Sequence, residues 1–184
     1  MKHLRSFFSI SMAFVLFTLV LSGCSKKDAA VTCPFSDLTW ESSLDDMTRL
    51  EGTDYQTYDS VYNGTTYTYP KKYMDAEGTI KYMFDGDDNL MCIAWSYGAN
   101  DNDTLDKLYN KIHKQVEDTY GESGYDSNNA TNYGDVWDLD GGHIILSAMT
   151  TSEQKALQYS YQNPNGVKAD AAAGAQDLSD AADN

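Results

Sequence analysis

The apolar residues of 79–84 and 90–97 alternate on either side of Asp85-Gly86-Asp87-Asp88-Asn89, and this feature demands an antiparallel hairpin with one buried face. A turn of even length there sets Phe84 against Met91, Tyr82 against Ile93 and Ile80 against Trp95. The pairing makes one continuous apolar face and sends Lys81, Met83 and Cys92 to the reverse. A lone hairpin is marginal in water, so other parts of the chain must cover that face.

Residues 103–120 predict the main cover. Leu105, Leu108, Tyr109, Ile112, Val116 and Tyr120 fall on one helical stripe, Asp101 or Asp103 can cap the start, and Gly121 stops the end. The stripe is expected to pack on Tyr82, Phe84, Ile93 and Trp95. A shorter helix is predicted earlier. Ser42 and Ser43 each have an Asp three residues on, Leu44, Met47 and Leu50 follow at helical spacing, and Gly52 suits the stop.

Asn63-Gly64 predicts another hairpin with a two-residue turn. In that register Tyr58, Tyr62, Tyr67 and Tyr69 share one face, which would serve either as core or as a surface for a partner. Near the end, 136–139, 143–149 and 157–161 read as strands, and 122–134 as a loop. The fold class is therefore α+β. We expect a two-layer domain, with an antiparallel sheet of about six or seven strands and one short and one long helix on one face.

Acidic residues number 28 against 13 Lys and Arg, a formal charge of −15, which opposes binding to nucleic acid. The chain start is the exception. Lys2, His3 and Arg5 precede a nearly unbroken apolar run over 7–21, shorter than the roughly 20 residues of a spanning helix, and Leu21-Ser22-Gly23-Cys24 follows. Residues 1–23 are thus predicted to be an export signal. The tetrad resembles the lipobox of bacterial lipoproteins. That resemblance implies a cut before Cys24, a diacylglyceryl group on its sulfur, and a place on the cell membrane or outer membrane with the domain on the extracytoplasmic side. Residues 24–33 then read as a lipidated tether, 34–164 as the folded domain, and 165–184 as an acidic Ala- and Asp-rich tail. The tail is expected to be disordered, because it has too little apolar surface to offset its ordering entropy.

The stretch from Phe35 through Trp40 to the Ser-x-x-Asp helix resembles small exported proteins of the β-lactamase-inhibitory-protein-like and outer-membrane-assembly-lipoprotein-like kinds. Glu41-Ser42-Ser43 stands where those families carry Gly-Met-Thr. The resemblance spans 35–97 and implies a non-enzymatic interaction module.

Chemistry-bearing motifs are few. The 85–89 loop opens like a calcium loop but has Leu90 and Ser96 where Gly and Glu are required, so it reads as a turn. His113 and His143 are the only histidines beyond the signal, and no Cys or His cluster suits zinc. No nucleophile, zinc-protease or phosphate-loop motif occurs, so we expect no enzyme activity, cofactor or metal. With Cys24 acylated, Cys33 and Cys92 would either remain reduced or form a bridge worth about 4 kcal/mol. The function expected is that of an anchored, non-catalytic module for a protein or envelope partner. The alternative is a surface lipoprotein that takes a small ligand or glycan on its tyrosine face.

Overall fold

The structure, a computed structural model, describes residues 31–128 and 132–165. The expected signal, Cys24, most of the expected tether and nearly all of the expected tail lie outside the described residues. The elements run α1 (Leu44–Glu51), β1 (Gln56–Asp59), β2 (Asn63–Tyr73), β3 (Ala76–Asp85), β4 (Leu90–Gly98), α2 (Asn102–Tyr120), β5 (Tyr125–Asn128), β6 (Asn132–Leu139), β7 (Gly142–Thr150) and β8 (Lys155–Gln162). They build an α+β domain with one eight-stranded antiparallel sheet in the order β1-β2-β3-β4-β8-β7-β6-β5. Two four-stranded meanders thus meet where β4 pairs β8, and α2 carries the chain from the first meander to the far edge of the second. No helix among the described residues is long and apolar enough to cross a membrane.

Both helices form where local chemistry directs them. The Ser43 hydroxyl accepts the Asp46 N–H at 3.2 Å, and the Asp46 carboxylate accepts the Ser43 N–H at 2.9 Å, closing a capping box. Asp101 caps α2 by accepting the Thr104 N–H at 2.7 Å. Each helix ends at a glycine with positive φ, Gly52 at 97° and Gly121 at 94°, a region that side chains disfavour.

The stripe of α2 is buried as expected, Ile112 fully. It packs chiefly on β7 and β8, not on β3 and β4. Over β2 and β3 lie α1 and the segment before it. Glu51 accepts from Lys71 Nζ and from the Tyr82 hydroxyl, both at 2.7 Å, and the Tyr69 hydroxyl donates to the Gly52 carbonyl at 3.0 Å. Phe35 meets Tyr73, Tyr159 and Tyr161 edge-on, with ring centroids 5.4–5.7 Å apart. All three tryptophans donate to backbone carbonyls, Trp40 to Gly141, Trp95 to Lys71 and Trp137 to Gly121.

Hairpin registers differ from expectation in instructive ways. Residues 61–63 form a three-residue loop closed by Ser60 and Gly64, with Asn63 at φ 64°. Asn63-Gly64 is therefore the loop's end and not its centre. Tyr58 pairs with Thr66 instead of Tyr69, an odd shift that inverts one strand relative to the other. The 86–88 loop is also odd, closed by the Asp85 N–H on the Asn89 carbonyl, and Phe84 pairs with Leu90 rather than Met91. A bulge at Met91 restores the register, so Tyr82 still opposes Ile93 and Ile80 opposes Trp95. The 122–134 segment is not all loop, since β5 pairs with β6 there.

Candidate binding face

Alternation along the strands gives the sheet two different faces. One is the core under both helices, where Tyr67, Tyr82, Ile93, Tyr161, Ile144 and Trp137 form a row across the paired strands. On the opposite face Met83, Cys92 and Ala94 form a separate apolar cluster against which Tyr62 packs. Lys81, Ser160 and Ile145 share that face by register, with His143 and Ser147 along β7. Among the described residues, neither helix nor the 31–43 segment lies over it.

The centre of this face is buried all the same. Lys81 is 3% exposed, Cys92 2% and Ser160 2%. The Lys81 ammonium stands 6.0 Å from the centroid of the Tyr58 ring. Aromatic side chains mark both ends, Tyr58 on β1 and Tyr125 on β5, the latter 54% exposed and paired with Val136. His143 Nδ1 lies 2.7 Å from Asp138 Oδ1 across the β6–β7 pair.

The four-tyrosine platform is not formed. Tyr67 and Tyr69 face the helix side, where Tyr55 packs edge-on against both rings, while Tyr58 and Tyr62 belong to the opposite face. The odd loop described above is the cause. The glycan reading loses the surface on which it depended.

The cysteine bridge is likewise corrected. Cys33 packs against the core on the helix side and Cys92 sits on the other face, so the sheet separates two thiols. Burial pushes the Cys33 thiol up to about 12. It is protonated at neutral pH, unlike an activated nucleophile.

One constellation went unread in the sequence. Asp135, buried on the helix side, accepts from the Tyr109 hydroxyl at 2.5 Å and the Ser123 hydroxyl at 2.7 Å, with His113 Nε2 at 3.3 Å. A nucleophilic triad places the imidazole between hydroxyl and carboxylate. Here the carboxylate is the hub, and it ties α2 and the following loop to β6. The Asp85 loop works as a turn, with its carboxylate accepting the N–H groups of Asp87 and Asn89 at 2.9 Å each. Among the described residues no three His, Cys, Asp or Glu side chains gather to hold a metal.

No protein-family model matches the sequence, and no curated protein is similar to it. The chain is similar to a crystal structure of a DUF4309 family protein (YjgB) from Bacillus subtilis. Identity is 12%, 68% of this chain and 80% of that chain are covered, and the TM-score is 0.37. At that score the likeness carries no argument about the fold or the site.

Lys81 was legible as a reverse-face residue but not as a buried charge at the centre of that face. Its signal was a lone lysine between Ile80 and Tyr82 in an otherwise apolar strand.

Proposed function

We propose that the protein is a non-catalytic binding module, held at the extracytoplasmic side of a membrane by a lipid on Cys24, that meets a protein or envelope partner through the sheet face carrying Lys81. The observation that carries this reading is the one-sided packing of the sheet. Both helices serve one face; on the other, whose centre is buried, the exposed Tyr125 stands at the β5 end and Tyr58 at the β1 end. The Asp135 hub and the raised Cys33 thiol support a structural use of the groups that would otherwise suggest catalysis.

Two measurements test the two halves. Cys24→Ala is expected to abolish fatty-acid labelling and move the protein out of the detergent phase. Unchanged partitioning would make the Leu-Ser-Gly-Cys tetrad accidental. A photo-crosslinker at Tyr125 is expected to capture an envelope component, and one at the exposed Asn110 of α2 to capture none. Equal capture from both positions, or none from either, would refute the face assignment.

A further inference from the structure

β1 is an outermost strand of the sheet, and among the described residues nothing pairs with its outer side. The Ser60 N–H donates to the Gly64 carbonyl at 2.9 Å where the hairpin closes. Antiparallel pairs alternate from there. Tyr58–Thr66 and Gln56–Thr68 therefore exchange hydrogen bonds, whereas Thr57 and Asp59 turn their N–H and C=O groups away from β2. Gln56, Thr57 and Asp59 are all exposed. Sheet edges are usually guarded by lysine, proline or a bulge, and β1 has none of these. Its guards are shortness and the Asp59 carboxylate, which repels an acidic edge and admits a basic one.

Large apolar side chains gather at the same edge. Four are exposed among the described residues, and Leu50, Tyr55 and Val61 fall between positions 50 and 61, with only Tyr125 elsewhere. Tyr55 packs edge-on against Tyr67 and Tyr69 on the helix side, and Thr57, opposite Tyr67, shares that side. Asp59 shares it by alternation. Charge at this edge is one-sided. Arg49 is held by Asp46 and Lys71 by Glu51, while among the described residues no ion pair joins Asp54 or Asp59, both exposed.

We infer that the outer edge of β1 takes an extended, basic segment of another protein as an added strand. The segment's backbone meets the outward groups of Thr57 and Asp59, as in other cases of strand addition. Its side chains alternate, so a Lys or Arg beside Asp59 and an apolar residue beside Tyr55 fall on one face. A second copy of this chain brings the same acidic edge on a molecule of formal charge −15 and is repelled. The surface is the sheet's edge and not the face carrying Lys81, so the inference goes beyond the proposed partner face and does not need it.

A displayed library of random linear peptides about nine residues long is the probe. It is offered to the full chain, expressed with its own N-terminus and kept in detergent, and to two variants. Thr57→Pro removes an outward N–H and leaves the β1–β2 ladder intact, a change that an edge strand tolerates. Asp54→Lys with Asp59→Lys reverses the charge. Enriched peptides are expected to alternate Lys or Arg with apolar residues and to lose about tenfold or more in affinity for each variant. Bound peptide is expected to slow amide exchange at Thr57 and Asp59 about tenfold. Absence of any enriched peptide overturns the inference. So do enriched peptides that are acidic, that bind Thr57→Pro as well as the native chain, or that leave those two amides unprotected. Dimers of the native chain that are lost in Thr57→Pro would assign the edge to a second copy and overturn it equally. Circular dichroism checks each fold. The charge-reversed variant, altered only at exposed side chains, decides the matter if the proline variant misfolds. Neither variant touches crosslinking from Tyr125, so failure of the edge and failure of the partner face are read separately.

Discussion

Cys33 lies close to Tyr73, Tyr82, Tyr159 and Tyr161, and burial lifts its thiol from 9.0 to about 12. The folded state therefore holds a proton that the unfolded chain releases above pH 9. Its stabilising effect is complete below pH 9 and declines as pH rises toward 12. Urea midpoints at pH 7 and pH 10.5 should fall further for the native protein than for Cys33→Ala. Equal falls would mean that the thiol is not desolvated. The opposite sign holds at Asp46. The Ser43 backbone N–H, then the Ser43 hydroxyl and Arg49, hold its carboxyl down at about 2 from 3.8. Its contribution to the α1 cap is present above about pH 4 and is lost as pH falls through 2. An NMR titration of Asp46 should give that low midpoint, and Ser43→Ala should raise it.

Among the elements, α2 was the most legible, because capping, stripe and stop all agree over a long segment. Ile112→Ala should cost about 2–5 kcal/mol, since it empties a fully buried position. Lys111→Ala, one residue away and exposed, should change stability by only about 0.5 kcal/mol. Urea unfolding of both mutants would show whether the helix faces as described; equal costs would refute it. Loops were less legible, because an Asn with positive φ serves both two- and three-residue hairpin turns. That ambiguity at Asn63 was enough to divide the tyrosines between faces. The β2–β3 turn had no signal at all. Met74 and Asp75 link Tyr73 to Ala76 at φ 48° and 67°, where Gly or Asn is usual. Asp75→Gly should relieve about 1 kcal/mol of backbone strain and raise the melting temperature. A lower melting temperature would mean that the Asp75 side chain makes a contact that matters more. β5 escaped notice because Tyr125-Asp126-Ser127-Asn128 lacks both alternation and β-branched residues.

At the scale of the molecule, the two meanders are joined in the sheet by the β4–β8 pairing, which runs from Cys92–Gln162 to Gly98–Ala156. A chain ending at Thr150 should therefore show no cooperative urea transition. Two independent transitions would instead mark each meander as a folding unit.

The same connectivity sets a schedule for synthesis. The strand that completes the centre of the sheet is the last one made among the described residues. Until residue 162 has emerged, β4 offers a bare edge, and the core side of the first meander lacks Tyr159 and Tyr161. A nascent chain of this order stays loosely structured through most of its translation, since its most distant contacts close only at the end. On the proposed reading of 1–23 as an export signal, that delay would keep the chain threadable through a narrow channel and leave assembly to the far side.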